Sequence, residues 1–367
     1  MARMPSDAPA DTPADKPSNH IPQVTPPFFP PPSFSTSRGV GGKPAKLPLL
    51  ARMPVAIFPV LFGAMGVVLG WRKAAALIGG EAVAGLVEMV AGAALLLFGF
   101  ALIGYAVKVA RRPSVLLDEV TILPGRTGLS TLVLGIYLAA LILAPYGAGV
   151  ARGALYAGLV LHAGLIVLLI RQFVFGAREQ ARVTPAWQLS FTGPVVGALA
   201  ALGLGMPDLA APLFWGALVS AVVIWAISLD QFRRASVPAP LRPLLLIHLS
   251  PAALLGLVAL GLGYPMLALC FALLSLALVA LFGICARWLT QAGFSAFWSA
   301  FTFPVAGTAT LALALGAQGT STTNQIWAVI GALILVAATL ITAPILLRLL
   351  RMWAKGDLAA KSNAATA

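Results

Sequence analysis

The chain has 367 residues, of which 60% are hydrophobic and only 10% charged, whereas soluble domains carry about a quarter charged residues. That balance excludes a water-soluble fold. A formal net charge of +13 would point to nucleic acid in a soluble protein, but here the bases sit in short clusters between apolar runs, so they read as topology signals and no nucleic-acid partner is expected.

Residues 1–50 are rich in Pro, Ser, Asp and Thr and include the run Pro26-Pro27-Phe28-Phe29-Pro30-Pro31-Pro32. This composition cannot bury enough apolar surface to offset ordering entropy and predicts a disordered cytoplasmic tail. It lacks the order of a signal peptide, so the first helix is expected to direct insertion into the bilayer.

A bilayer core of roughly 30 Å needs about 20 apolar residues per helix. With Gly, Pro and charge as punctuation, spans fall near 54–71, 80–107, 121–144, 152–175, 184–204, 209–229, 242–262, 264–286, 295–316 and 325–350. The expectation is an all-α integral membrane protein: a ten-helix domain over 51–353 and a short cytoplasmic tail over 354–367. Bases cluster before the first span (Arg38, Lys43, Lys46, Arg52) and after even ones, as at Lys108, Arg111 and Arg112, at Arg171, Arg178 and Arg182, or at Arg348, Arg351 and Lys355. Both termini are therefore expected in the cytoplasm, with the protein in the inner membrane. Cys270 and Cys285 share one apolar span at a separation too long for a disulfide within it, and neither they nor any other cluster calls for a metal or cofactor.

Odd spans carry a proline each: Pro59, Pro194, Pro251 and Pro304 within helices and Pro124 near the start of the third. An internal proline removes a backbone hydrogen bond and kinks a helix. Recurrence at one per odd span reads as a repeated helical hairpin, with five kinked inner helices around a central pore and five outer ones around them.

At 100° per residue, Phe294, Phe297 and Phe301 of the ninth span form one bulky stripe, and Phe303 points away from it among Ala296, Ser299, Ala300, Ala306, Gly307 and Thr310. In the fifth span Ser190, Gly193, Gly197 and Ala201 share a side; in the first, Gly63, Val67 and Gly70 oppose Phe58, Phe62, Met65 and Leu69. Such small faces serve either a conduit or close helix packing. His248 lies in the seventh span one turn before Pro251 and faces the protein interior or a water-filled cavity; His162 in the fourth is expected to bond a neighbouring helix. Glu88 reads as the one carboxylate clearly at membrane depth, and the scarcity of acidic relays favours a passive route. No paired carboxylates or nucleophile with base suggest an enzyme.

The segment Phe58-Pro59-Val60-Leu61-Phe62-Gly63-Ala64-Met65-Gly66 with Gly70-Trp71-Arg72 resembles the first helix of the tellurite-resistance/dicarboxylate transporter family. Leu241-Arg242-Pro243 with Leu249-Ser250-Pro251-Ala252 resembles its seventh, and Phe294 to Pro304 its ninth. The resemblance implies ten helices, a pore through each protomer of a homotrimer, small inorganic or organic anions as cargo, and a phenylalanine gate that falls by motif on Phe303. Pro59, Gly63, Gly193, Pro194, Gly197, His248, Pro251, Ser299, Pro304 and Gly307 are the pore-lining or kink candidates. The expected function is a passive anion channel; the alternative is a proton-coupled carrier of C4-dicarboxylates or tellurite-related oxyanions, with Glu88 or His248 as relay.

Overall fold

A computed structural model describes residues 53–177 and 182–365. The proline-rich segment expected to be a tail, and the bases at Arg38, Lys43, Lys46, Arg52 and Arg178, lie outside the described residues. Ten apolar helices follow in order: α1 Phe58–Ile78, α2 Glu81–Arg111, α3 Leu123–Leu143, α4 Ala148–Phe175, α5 Pro194–Gly203, α6 Pro207–Arg234, α7 Leu249–Gly261, α8 Pro265–Ile284, α9 Thr302–Gly316 and α10 Thr322–Lys355. Counted with their lead-in turns, nine are long and apolar enough to cross a membrane, and the tenth is the shorter Gln188–Gly203 that contains α5.

The helices sort into two rings. The spans holding α1, α3, α7 and α9 are 72%, 89%, 83% and 89% buried, whereas α2, α4, α6, α8 and α10 are only 22–28% buried. Each odd helix packs on the next odd one, and α9 closes the circle on α1; each even helix leans on the odd helix before it. The chain is therefore five hairpins whose first arms form a closed inner ring. Outer arms keep Leu96, Val160 and Leu340 exposed, as a surface facing lipid rather than water requires.

Prolines do not sort the rings in the way the sequence suggests. Pro212 and Pro344 lie inside the even helices α6 and α10. Nor do the inner prolines kink the middle of a helix: Pro59, Pro124 and Pro194 occupy the first two positions of α1, α3 and α5, and Pro251 and Pro304 the third of α7 and α9. A first-turn proline sacrifices no internal hydrogen bond, but its ring obstructs α winding upstream. The preceding residues accordingly wind differently. A 3-10 turn at Val55–Ile57 leads into α1, a π turn at Gln188–Thr192 into α5, and 3-10 segments at Ala239–His248 and Ala296–Phe301 into α7 and α9.

Even helices run longer than the apolar pattern alone suggests, because their C-terminal bases belong to the last turn. Lys108 and Arg111 end α2, Arg233 and Arg234 end α6, and Lys355 ends α10, where cations offset the negative end of the helix dipole. After α10 the segment expected to be a tail forms the short helix Asp357–Lys361 with Leu358 fully buried.

Candidate pore

The lead-in segments of the inner helices surround a narrow cavity. Ala56 and Pro59 reach it from the start of α1, Pro124 and Thr127 from α3, and Ile247 and Ser250 from the approach to α7. The segment before α9 contributes Ala296, Phe297, Ser299 and Ala300, with Phe303 and Pro304 following. Here the face predicted from 100° periodicity is corrected. A 3-10 helix turns 120° per residue and eclipses positions i and i+3, so Phe297 and Ala300 fall in register with Phe303. Phe297 thus leaves the packing stripe, whereas Phe294 and Phe301 stay away from the cavity, each packed against Trp298.

A second, smaller cavity lies one to two turns further along the helices, lined by Leu134, Thr192, Gly193, Val196, Pro251 and Leu254 among others. Phe62, Leu189, Ser250 and Phe303 line both cavities. The Phe62 and Phe303 rings are stacked, centroids 3.9 Å apart and planes 24° apart, and Phe303 is 6% exposed. Room for that ring depends on Gly66, where a Cβ would stand 2.6 Å from Phe303 Cδ2. Gly307 gives it space from its own helix, one turn on, at 4.0 Å.

The structure thus brings Pro59, Ser299, Phe303 and Pro304 to the first cavity and Gly193 and Pro251 to the second. Gly63 and Gly197 serve close packing instead: a Cβ at Gly63 would overlap Thr302, and one at Gly197 would press on the Tyr137 ring at 3.2 Å. Pro194 and His248 line neither cavity. His248 is buried, neither ring nitrogen has a hydrogen-bond partner among the described residues, and its carbonyl accepts a bond from Trp225 Nε1 at 3.2 Å. His162 does bond a neighbouring helix, donating from Nε2 to Ser190 O at 2.7 Å in the π turn. Sequence reasoning missed Phe62, Gly66 and Ser250. Phe62 was assigned to a packing face, and only its sequence neighbour Gly66, one turn on, hinted that a ring from elsewhere would stack there.

No charged side chain lines either cavity among the described residues. Two ion pairs lie away from the cavities. Glu88 accepts from Arg72 Nε at 2.7 Å and from Tyr146 Oη at 2.7 Å, while Arg72 also donates to the carbonyl of Leu141, near the end of α3, at 3.2 Å. Another carboxylate is more deeply buried in the protein than Glu88, outside the membrane-length helices. Glu119, on the short helix Val115–Thr121, is fully buried with Lys108; the Lys108 ammonium lies 2.7 Å from its carboxylate and 2.9 Å from Met53 O. Burial pushes the Glu119 carboxyl above the usual range although Lys108 pulls it down. Periodicity treats this stretch as a polar connection, which is why the pair escaped notice.

The sequence profile of SLAC1, the voltage-dependent anion channel family, matches residues 52–348. The chain belongs to this family. No curated protein matches it. The match runs from just ahead of α1 into α10, so in this SLAC1-family chain it covers all ten helices and both cavities. It bears out the resemblance drawn from the first, seventh and ninth spans, and it makes anions the cargo class of a multi-pass membrane protein.

Proposed function

We propose that the chain is a passive anion channel of the inner membrane, assembled as a homotrimer with one conduit per protomer and closed at Phe303. The observation that carries this reading is the stacked Phe62–Phe303 pair at the boundary shared by two cavities. An apolar constriction of this kind blocks ions by excluding water, and without fixed charge beside it selectivity rests on dehydration cost and width. The passive route is supported by the position of two acids: the half-exposed Glu88 and the buried Glu119 line neither cavity.

Purified protein in liposomes tests the gate. Phe303→Ala is expected to raise chloride flux about tenfold or more, the equivalent of lowering a barrier by about 1.4 kcal/mol. Phe301→Ala, on the packing side and half-buried, is expected to lower folded yield without opening a path, at less than the cost of about 3–5 kcal/mol for emptying a fully buried aromatic site. A Phe303→Ala protein that assembles normally yet passes no more anion than the parent sinks the gate. In the same vesicles Glu88→Gln is expected to leave flux within a few-fold of the parent; loss of flux together with dependence on a proton gradient would establish the carrier. Both termini are assigned to the cytoplasm on the basic clusters, and cysteine labelling that reaches either one only from outside would reverse the orientation.

A further inference from the structure

Five hydroxyls line the two cavities: Thr127, Thr131, Thr192, Ser250 and Ser299. A hydroxyl has one proton to donate, and four of these have placed it. Thr127 donates to Pro124 O at 3.0 Å, Thr131 to Thr127 O at 2.8 Å, Ser299 to Ala296 O at 2.7 Å and Thr192 to Gln188 Oε1 at 2.6 Å. Ser250 makes no hydrogen bond among the described residues, although it is only 6% exposed. Its hydroxyl opens onto the cavities rather than into packed protein, so its proton is free for a guest in the conduit. Ser250 is also the one polar residue shared by both cavities, at the level of the Phe62–Phe303 stack. It occupies the second position of α7.

We propose that Ser250 is the hydrogen-bond donor that holds a small monovalent anion, a halide or nitrate, beside the aromatic constriction. An ion passing the two rings sheds part of its water, and a free hydroxyl at that depth replaces one lost contact without trapping the ion, as conduction demands. A single donor matches a single charge. A dicarboxylate would bring a second charged group, and no second free hydroxyl lines the cavities to meet it. The inference rests on the anion-channel reading for its cargo, and it adds the residue that binds it.

The test uses the full chain in liposomes with Phe303→Ala to keep the path open, measuring chloride flux against chloride concentration. Ser250→Ala is expected to raise the half-saturating concentration about tenfold, the scale of one hydrogen bond to a charged group, while Ser250→Thr, which keeps the hydroxyl, stays near the parent. Because the Ser250 hydroxyl bonds to nothing in the fold, its removal leaves assembly intact. Bromide-soaked crystals read binding without flux: an anomalous peak within hydrogen-bonding reach of Ser250 Oγ, lost in Ser250→Ala, upholds the site. It does so even if Phe303→Ala passes no anion, in which case the channel reading falls by itself. A Ser250→Ala protein that retains both the parent's half-saturation and its bromide peak overturns the inference and leaves the channel reading in place.

Discussion

The inner and outer rings are built from nearly the same residues and do opposite work. Outer helices run unbroken for 20–34 residues and present glycines such as Gly85, Gly92 and Gly99 to open space. In the inner ring, four of the five helices change winding near their start, and Gly66 and Gly128 stand where a Cβ would meet a ring or a backbone carbonyl. Lipid accepts any apolar side chain, so an outer helix is constrained mainly in length and polarity. A conduit must instead satisfy backbone groups at membrane depth and set a width to within a methyl group. Irregular winding is therefore concentrated where the chain meets a cavity.

One departure from this pattern offers the largest effect. Lys108 belongs to the outer helix α2 yet is fully buried, bonded to Glu119 and to Met53 O just ahead of α1. Glu119→Gln leaves that ammonium unpaired and is expected to cost about 3–5 kcal/mol, read as a lower melting temperature in detergent. Replacing both, as Lys108→Met with Glu119→Leu, should recover most of the loss, since well-packed apolar residues often equal a buried pair. If Glu119→Gln melts like the parent, this part of the outer ring is as tolerant as the rest and the exception disappears.

Gly66→Ala sharpens the contrast at the gate. Its methyl would stand 2.6 Å from Phe303 Cδ2, and overpacking of about 1–3 kcal/mol suffices to displace the ring from the Phe62 stack and raise flux by roughly tenfold. The matched substitution Gly85→Ala on α2 meets nothing within 4 Å and is expected to leave liposome flux unchanged. Equal responses at the two glycines would mean that the stack does not limit conduction.

Apolar runs of membrane length, the scarcity of charge within them and the small-residue ninth span were legible without coordinates, because hydropathy and length answer directly to the bilayer. They determined the ten helices, the family resemblance and the position of Phe303 among small neighbours. Local winding decided the rest. The prolines pointed to irregular inner helices, but not to residues upstream winding as 3-10 or π in four of the five, and that choice carries Phe297 from the packing stripe into the cavity. The partner of Phe303 comes from α1, 241 residues earlier, and the free hydroxyl of Ser250 is recognised only after every neighbouring hydroxyl has found its acceptor. Composition and periodicity report what each helix buries. Which side chains then meet across the ring depends on contacts between segments far apart in the chain, and those only the closed inner ring decides.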